Sequence, residues 1–381
     1  MIPFNLPFRA PKEVEYIGEA LAGPFRNGSG AFTHRATSRM REDLGNPAVF
    51  LTQSCTAALE LAALLSGIGV GDEVIMPSFT FVSTASAFVL RGAVPVFVDV
   101  DARTQNLDPQ LVENAITERT RAIVLVHYAG IANEIRAFQA LAKRANLLLI
   151  EDAAQAYCSS WDGGPLGTFG DLAAFSFHDS KNISCGEGGA LVVNRAELAQ
   201  RAEVLWEKGT NRAAFVTGKV DKYTWVDVGS SFLPSEITAA MLLAHLEAAP
   251  AITQKRRAVW DRYDAILAPR LSETMPHIAR SFCPQEAQHN GHLYYLILPS
   301  LEDRKRFIAE MRERGISTVF HYVPLHSSPA GLKFGRAIGP MDNTNRAGEC
   351  LIRLPLFADL ELSVADRIAE TTFDVLRRMG V

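Results

Sequence analysis

The fold is indicated by residues 71–100, GDEVIMPSFTFVSTASAFVLRGAVPVFVDV, which read as a strand, a helix and a second strand. The apolar runs EVIMP (73–77) and VPVFVDV (94–100) lack the alternation of polar and apolar residues that marks a half-exposed strand. Near-continuous runs of this kind are typical of parallel strands buried on both faces. The helical pattern FVSTASAFVLRG (81–92) between them predicts a right-handed crossover connection. We therefore expect a mostly parallel sheet flanked by helices.

The same pattern continues on both sides of this stretch. Further strands are predicted at residues 48–52, 121–128, 146–152, 172–177 and 189–194, with helices from Ser54 to Leu65 and over residues 137–145. Beyond a helical stretch at 234–247, the segment PAI (250–252) suggests a break. The following elements are a helix (252–268), a strand (292–298), a helix (302–315), a short strand near 317–321 and a closing helix (363–379). We expect an α/β protein with a large domain, residues 1–250, and a smaller C-terminal α/β domain, residues 251–381.

Composition excludes several classes of protein. The 381 residues are 48% hydrophobic, and the net charge of −4 comes from both signs scattered along the chain, so nucleic acid is not an expected partner. The five cysteines form no C-x-x-C pair, which argues against a disulfide framework or a metal site. The start, MIPFNLPFRAPKE, lacks the pattern of a signal peptide, and no apolar run is long enough for a membrane span. We expect a cytoplasmic protein.

Two charged side chains lie where strands are predicted to end. In NLLLIEDAAQA (146–156), Asp152 closes a buried strand, and in FSFHDSKNISCGEGGAL (175–191), Lys181 lies in a loop before a glycine-rich turn. A buried carboxylate requires a cationic partner, whereas the ordinary alternative is that Asp152 caps a helix. A desolvated lysine loses its proton and becomes a nucleophile, whereas the ordinary alternative is a surface lysine on a turn.

Two other segments contain residues that could bind an anion and a flat ring. The strand–turn–helix TQSCTAALELAALL (52–65) predicts an anion site at a helix N-terminus, with simple capping by Ser54 as the alternative. In PSFTFVST (77–84), Phe79 and Phe81 can stack on a flat ring, with core packing as the alternative. An anion turn, a stacking ring, a strand-end carboxylate and a lysine are together what pyridoxal 5′-phosphate (PLP) needs.

The chain resembles the DegT/DnrJ/EryC1/StrS family of PLP-dependent sugar aminotransferases over essentially its whole length. Within that family it is most similar to the dTDP-4-amino-4,6-dideoxygalactose transaminases of surface-polysaccharide biosynthesis. The resemblance is carried by collinear motifs from the N-terminus to residue 357: MIPFN, LTQSCTAALE, GDEVIMPSFTFVSTASAFVLRGA, VHYAG, EDAAQ, FSFHDSKN, GEGGA, EKGTNR, VDKYTW, FHYVPLH and RLPLF. It implies PLP-dependent transferase fold type I, like aspartate aminotransferase, and a homodimer with active sites at the subunit interface.

The resemblance also implies roles for individual residues. Lys181 matches the lysine that binds PLP covalently, and Asp152 matches the partner of the pyridine nitrogen. The other implied cofactor contacts are Gln155 at the phenolic oxygen, Phe81 on the ring, and Cys55, Thr56, Ala57 and Ser176 at the phosphate. One departure is GSSFLP (229–234), where many members have G-Y-N-Y-R-M, so that Ser231 replaces an asparagine that reaches the partner's phosphate.

The implied reaction is transfer of an amino group from glutamate to C4 of a dTDP-4-keto-6-deoxyhexose. Implied substrate contacts are Lys222, Tyr223, His321, Tyr322 and His326, although each histidine can equally be structural. The same family also acts on other nucleotide keto-sugars, and a PLP-binding regulator without catalysis is a further alternative. Some relatives are dehydratases with histidine at the lysine position, and Lys181 argues against that activity.

Overall fold

The computed structural model describes residues 1–381 as thirteen α-helices and fourteen strands. The strands are β1 Ala48–Thr52, β2 Glu73–Pro77, β3 Val94–Val98, β4 Thr120–Val126, β5 Leu148–Asp152, β6 Ser160–Trp161, β7 Gly164–Pro165, β8 Leu172–Ser176, β9 Gly189–Val193, β10 Ala279–Arg280, β11 Ala287–Gln288, β12 Tyr294–Ile297, β13 Arg336–Ala337 and β14 Leu351–Leu354. The helices are α1 Glu13–Ala22, α2 Ala31–Asp43, α3 Cys55–Leu65, α4 Val82–Val89, α5 Pro109–Ala115, α6 Ile135–Ala145, α7 Ala196–Trp206, α8 Arg212–Val216, α9 Glu236–Thr274, α10 Leu301–Glu313, α11 Pro329–Phe334, α12 Asp342–Cys350 and α13 Leu362–Met379.

The large sheet has eight strands in the order β1-β9-β8-β5-β4-β2-β3-β13. Only β9 runs antiparallel to its neighbours, β1 and β8, and all other pairs are parallel. The predicted mostly parallel sheet is therefore confirmed, as is fold type I.

Alternate side chains of each central strand enter two different cores. In β2, Val74 and Met76 pack in one apolar cluster, whereas Ile75 packs in the cluster on the opposite face. Every residue of β2 is buried, because helices cover both faces of the sheet. This double burial explains why the strand sequences are continuous apolar runs.

A separate apolar core lies in the C-terminal part of the chain. It is built around the antiparallel sheet β10-β12-β14, with α10, α13 and the second half of α9 packed against it. The predicted strand near 317–321 is wrong, because only Val319 pairs there, with Arg353. The small sheet instead contains β14. The apolar pattern does not predict this strand, because Arg353 interrupts it.

The expected break at residue 250 is also wrong as a description of the helices. The 39-residue helix α9 runs through it, with Pro250 and Pro269 both inside the helix. Leu246, Ala249 and Ile252 around Pro250 are at most 1% exposed, so burial of this face offsets the hydrogen bond that proline removes. No helix, α9 included, combines the length and hydrophobicity needed to cross a bilayer.

The first residues of the chain pack on the C-terminal part. The Ile2 backbone N–H donates to Gly315 O at 2.7 Å, and the Leu356 N–H donates to Phe4 O at 3.1 Å. Each of the two parts has its own core, and we propose that they are domains that divide near residue 250, with the chain start attached to the second.

Candidate active site

A cleft of about 600 Å³ lies at the carboxyl ends of the parallel strands, where ligands collect in sheets of this type. Its walls include nine of the residues singled out from the sequence: Cys55, Thr56, Phe81, Asp152, Gln155, Ser176, Lys181, His321 and Tyr322. These residues come from distant parts of the chain. The parallel sheet brings them together because the ends of β5 and β8, and the turn before α3, meet at one edge.

Asp152 is the last residue of β5 and is only 5% exposed. Its carboxylate accepts a hydrogen bond from Thr84 Oγ1 at 2.7 Å and another from the Ala154 N–H at 3.2 Å. Burial raises the pKa of Asp152, while these two hydrogen bonds and the charge of Lys181 oppose the increase. The carboxylate forms no ion pair of its own, so it can accept a cationic N–H from a group in the cleft.

Thr84 extends this arrangement away from the cleft. Its hydroxyl proton goes to Asp152, so the 2.8 Å contact with Thr80 Oγ1 is a hydrogen bond that Thr80 donates. Thr80 and Thr84 are four residues apart, and both are buried. This pair was not predicted from the sequence, although the i, i+4 spacing of two threonines at a helix start could have indicated it.

Lys181 lies in the loop that joins β8 to β9. The two strands continue into this loop through hydrogen bonds from Phe177 N to Gly188 O and from Asp179 N to Gly186 O. The loop is therefore a hairpin, as the alternative interpretation required, yet the Lys181 side chain lines the cleft. Burial lowers the pKa of Lys181, which favours the neutral amine that acts as a nucleophile.

The next residue, Asn182, holds the loop in place. Its Nδ2 donates to Asn290 O at 3.0 Å, and its Oδ1 lies 2.9 Å from His292 Nδ1. Burial lowers the pKa of His292 well below its usual value, so the ring is neutral. No sequence pattern indicates this support, because the partners are more than one hundred residues away.

The turn before α3 forms a cradle for an anion. Cys55 and Thr56 are the first two residues of α3, whose backbone N–H groups have no acceptor within the helix. A Cβ on Gly189 would lie 2.5 Å from the Cys55 nitrogen, so only glycine allows β9 to approach this turn so closely. Ala57 does not line the cleft, and its N–H donates to Ser54 Oγ at 3.1 Å. Here Ala57 belongs to the N-cap that supports the cradle.

Aromatic rings form one wall of the cleft. Phe81 is 56% exposed at the cleft, whereas Phe79 is buried against Tyr128 and Tyr322 and belongs to the core. His321 stacks on Tyr322, with 3.7 Å between ring centroids. The Phe81 ring is therefore the one free to stack on a flat ligand.

Hydrogen bonds fix the polar edges of this wall. Gln155 accepts from the Ala129 N–H at 2.7 Å and donates to the Tyr322 hydroxyl at 2.8 Å. The Tyr128 hydroxyl lies 2.8 Å from His321 Nδ1, a contact that the sequence analysis missed. Burial lowers the pKa of His321 well below its usual value, which keeps the ring neutral.

Besides Ala57, four predicted site residues lie outside the cleft of this single chain. Lys222 and Tyr223 are exposed, and Ser231 is exposed while its backbone pairs with Glu207. His326 binds Ser78 twice, through its Nδ1 at 2.8 Å and its backbone N–H at 2.9 Å. The structural alternative for His326 is thus the one that the contacts favour, and within one chain these four residues form no contact with the cleft.

The residues present fit PLP. The half-exposed Phe81 ring, the unpaired Asp152 carboxylate and the desolvated Lys181 amine face one cleft. The anion cradle, with the hydroxyls of Thr56 and Ser176, suits a phosphate. A pyridine nitrogen, an aldehyde and a phosphate are the three functional groups that these residues can hold.

Comparisons with known proteins agree with this geometry. Residues 10–373 match the DegT/DnrJ/EryC1/StrS aminotransferase family. The chain is 30% identical over 384 residues to the spore coat polysaccharide biosynthesis protein SpsC of Bacillus subtilis, covering 99% of this chain and 97% of that protein. It is similar to Helicobacter pylori PseC, an aminotransferase involved in the biosynthesis of pseudoaminic acid, with 25% identity, a TM-score of 0.89 and 99% of each chain covered.

A Streptococcus pneumoniae protein solved in its PLP-form is similar as well, with 28% identity, a TM-score of 0.89 and 99% of each chain covered. The fold, the cleft and the family match lead to one conclusion. The chain belongs to the DegT/DnrJ/EryC1/StrS aminotransferase family and is a PLP-dependent sugar aminotransferase.

Proposed function

We propose that the enzyme transfers the amino group of glutamate to C4 of a dTDP-4-keto-6-deoxyhexose. The product is a dTDP-4-amino-4,6-dideoxyhexose, the galacto isomer, for surface polysaccharides such as lipopolysaccharide O-antigen. The observation that carries the proposal is that the Lys181 amine and the Asp152 carboxylate line the same cleft. The named role of SpsC in polysaccharide biosynthesis and that of PseC in pseudoaminic acid biosynthesis support a sugar acceptor.

The proposed roles follow from the environment of each residue. Bound PLP supplies an aldehyde that takes up the amino group and a ring that accepts an electron pair. Lys181 would bind the cofactor covalently, and its amine, once freed, would remove the proton from the α-carbon of glutamate and return it to the carbon of the cofactor's former aldehyde group. Hydrogen bonds from Thr84 and the Ala154 N–H favour the ionised form of Asp152. The ionised carboxylate would keep a proton on the ring nitrogen.

The remaining contacts position these groups. Phe81 stacks on the ring, Gln155 directs its amide N–H to the phenolic oxygen, and the α3 cradle with Ser176 holds the phosphate. Tyr322 and His321 contact the sugar, because both line the cleft beside Gln155.

The second copy of a homodimer completes the site. The segment that carries Lys222, Tyr223 and Ser231 has large apolar side chains in solvent, among them Trp225 at 75% and Val226 at 54% exposed. Such side chains are typical of surfaces that another chain covers. In the dimer, this segment reaches the partner's cleft. All five cysteines are free, which supports a reducing compartment such as the cytoplasm.

The test is a two-stage reaction with purified enzyme. Glutamate added to the PLP-loaded protein should convert its visible absorption to that of the amine form of the cofactor, and dTDP-4-keto-6-deoxyglucose should restore the first spectrum. UDP- and GDP-linked keto-sugars and 3-keto isomers serve as competing acceptors, and the product stereochemistry is read by NMR. A spectrum that ignores glutamate would favour a non-catalytic PLP protein or another donor. Restoration by a different keto-sugar alone would refute the proposed acceptor.

The matched control is Lys181→Ala. Lys181 forms no side-chain hydrogen bond, so its removal should leave the fold intact while covalent PLP and turnover are lost. Appreciable turnover by this variant would refute the assigned role.

A further inference from the structure

Lys181 borders two spaces, the reaction cleft and a small cavity next to it. The cavity has a volume of about 10 Å³ and is lined by Lys181, Ser176, Asn182 and His292, among others. This volume is about the space that one water molecule needs. Lys181 and Ser176 also line the cleft, whereas His292 lines only the cavity. The proposed steps do not use His292.

Asn182 determines which nitrogen of the His292 ring carries the proton. Asn182 Nδ2 donates to the Asn290 carbonyl at 3.0 Å, so the amide oxygen of Asn182 is the atom that lies 2.9 Å from His292 Nδ1. This oxygen has no proton and can only accept, so Nδ1 donates. The contact is the only side-chain hydrogen bond of His292. In a neutral ring, Nε2 therefore keeps a lone pair that no protein group uses.

The surroundings of His292 keep its ring neutral. Burial lowers the pKa of His292 well below its usual value, and the positive charges of Lys181, Arg256 and Arg353 lower it further. The groups that act electrostatically on the ring are all cations, and none is a carboxylate. His292 thus offers the Lys181 amine a neutral acceptor.

The backbone that carries this ring is fixed by buried side chains. Arg256 is 3% exposed and donates to Gly291 O at 3.1 Å and to His292 O at 2.7 Å. Gly291 has a φ of +65°, and a Cβ there would lie 2.7 Å from the backbone carbon of Arg256, so the position requires glycine. Asn290 Nδ2 donates to Gln155 O at 2.8 Å. The segment is therefore attached to both parts of the molecule and holds the ring in one place.

A lysine that acts as a general base benefits from a neutral acceptor of this kind. Its free amine has N–H groups and one lone pair, and the lone pair must point at the carbon that loses the proton. An acceptor for one N–H group fixes the rotation of the amine and so directs the lone pair. A carboxylate in that place would keep the lysine charged, and a cationic histidine would repel the charge that the lysine gains. Once the amine has taken the proton, its hydrogen bond to the acceptor is charge-assisted and about twice as strong.

We propose that His292 is a positioning residue whose Nε2 accepts a hydrogen bond from the freed Lys181 amine through one water molecule in the small cavity. This contact directs the lone pair of the amine towards the reacting carbon. No proton moves to His292, because the proton that Lys181 removes from the α-carbon passes to the cofactor carbon. Ser176 lines the same cavity and gives the water a further partner. The inference rests on the proposed role of Lys181.

Two variants of His292 separate positioning from a structural role. Asparagine places its amide near the position of Nδ1, so it can still donate to Asn182, but it has no acceptor at the position of Nε2. Glutamine reaches the position of Nε2 and keeps an acceptor there, but it loses the contact with Asn182. The single-turnover rate with saturating glutamate should fall roughly 10- to 100-fold in His292→Asn and stay within about threefold of the wild type in His292→Gln. The reverse order would overturn the inference and assign His292 to holding the loop of Lys181.

Proton transfer should be the step that slows. With α-deuterated glutamate, His292→Asn should show a primary isotope effect at least as large as that of the wild type, while KM for glutamate and the PLP content stay unchanged. A slower reaction without an isotope effect would overturn the inference. His277→Asn, at an exposed histidine of the C-terminal part, is the control and should match the wild type. Thermal unfolding of all variants shows whether they fold.

Two measurements on the apoenzyme need no amino donor, so they separate this inference from the proposed function. NMR of protein with isotope-labelled histidines, assigned by the signal missing from His292→Asn, should show a neutral His292 ring with its proton on Nδ1. A proton on Nε2 would overturn the inference. The midpoint pH of covalent PLP attachment should be lower in His292→Asn than in the wild type, because the charged form of Lys181 loses an acceptor. An unchanged midpoint would overturn the inference.

The combined results distinguish the possible failures. If both apoenzyme results are found but glutamate leaves the spectrum of the PLP-loaded enzyme unchanged, the proposed function fails and the inference stands. If glutamate and the dTDP-keto-sugar react as proposed but His292→Asn keeps the wild-type rate, the inference alone fails. Covalent attachment of PLP to Lys181→Ala would overturn both.

Discussion

Replacing Thr84 with valine should slow catalysis by weakening the ionised state of Asp152. The Thr84 hydroxyl donates to Asp152 Oδ2 at 2.7 Å, and both side chains are buried. A hydrogen bond to a charged group contributes about 1.5–3 kcal/mol. Valine has nearly the same shape as threonine, so the main change is loss of this contribution. That free energy corresponds to a reduction of about 10- to 150-fold in a step that needs the ionised carboxylate.

The Thr84→Val substitution should also shift the pH dependence of activity in a predictable direction. Burial already raises the pKa of Asp152, and Thr84 is the largest of the influences that oppose it. The valine variant should therefore lose activity at higher pH than the wild type as the solution is acidified. The assay is the single-turnover rate with saturating glutamate across a pH series, followed by the change in the cofactor spectrum.

Thr84→Ser is the matched control, because it keeps the hydroxyl and should stay close to the wild type. PLP content and thermal unfolding of all three proteins would show whether the valine variant folds and binds the cofactor. A folded, PLP-loaded Thr84→Val enzyme with the wild-type rate and pH profile would refute the role of this hydrogen bond.

Two further predictions concern pH. Because burial lowers the pKa of Lys181 from 10.5, the apoenzyme should attach PLP covalently at pH values below 10.5, and the rate should fall as the pH drops through the lowered pKa. Stopped-flow absorbance would measure this rate, and a midpoint at 10.5 would contradict the prediction. For Glu73, burial alone would raise the pKa, but hydrogen bonds from Arg336, Thr117 and Arg119 lower it from 4.5 to about 2. The folded-state pKa is the lower one, so this stabilisation is present above pH 4.5 and is lost as the pH falls towards 2. The difference between the two pKa values corresponds to about 3 kcal/mol. Glu73→Gln should therefore lower the free energy of unfolding by about this amount near neutral pH and make that free energy less dependent on pH in acid. Urea unfolding at several pH values would refute the prediction if the variant showed the acid dependence of the wild type.

The large sheet could be predicted from sequence because its strands are buried on both faces. β1 at Ala48–Thr52 and β2 at Glu73–Pro77 have the predicted bounds, and each is followed by polar or turn residues. β14 could not be predicted, since Arg353 interrupts its apolar pattern for a reason that appears only in three dimensions. A charged residue that faces a cleft looks, in sequence, like the end of a strand.

The residues of the candidate site also fall into two groups, those that could be predicted from the sequence and those that could not. Asp152, Lys181 and the α3 turn follow strands, so the rule for parallel sheets finds them without any contact information. Thr84 and Arg353 are identified only by what they touch, and their partners in the cleft are far away in sequence. Lys222, Tyr223 and Ser231 remain predictions, because their proposed ligands involve a second chain.

The long helix α9 has a mechanical consequence. Its first turns pack in one of the two cores beside the large sheet, and its last turns pack in the core of the C-terminal part, with Pro250 inside the helix. Proline removes a backbone hydrogen bond, so α9 bends most easily at Pro250. Opening of the cleft by rotation of one part against the other therefore requires a bend at Pro250, and the buried contacts of Leu246, Ala249 and Ile252 oppose that bend. Substrate entry then depends on the loops at the rim of the cleft, because α9 packs in both cores and limits their relative movement.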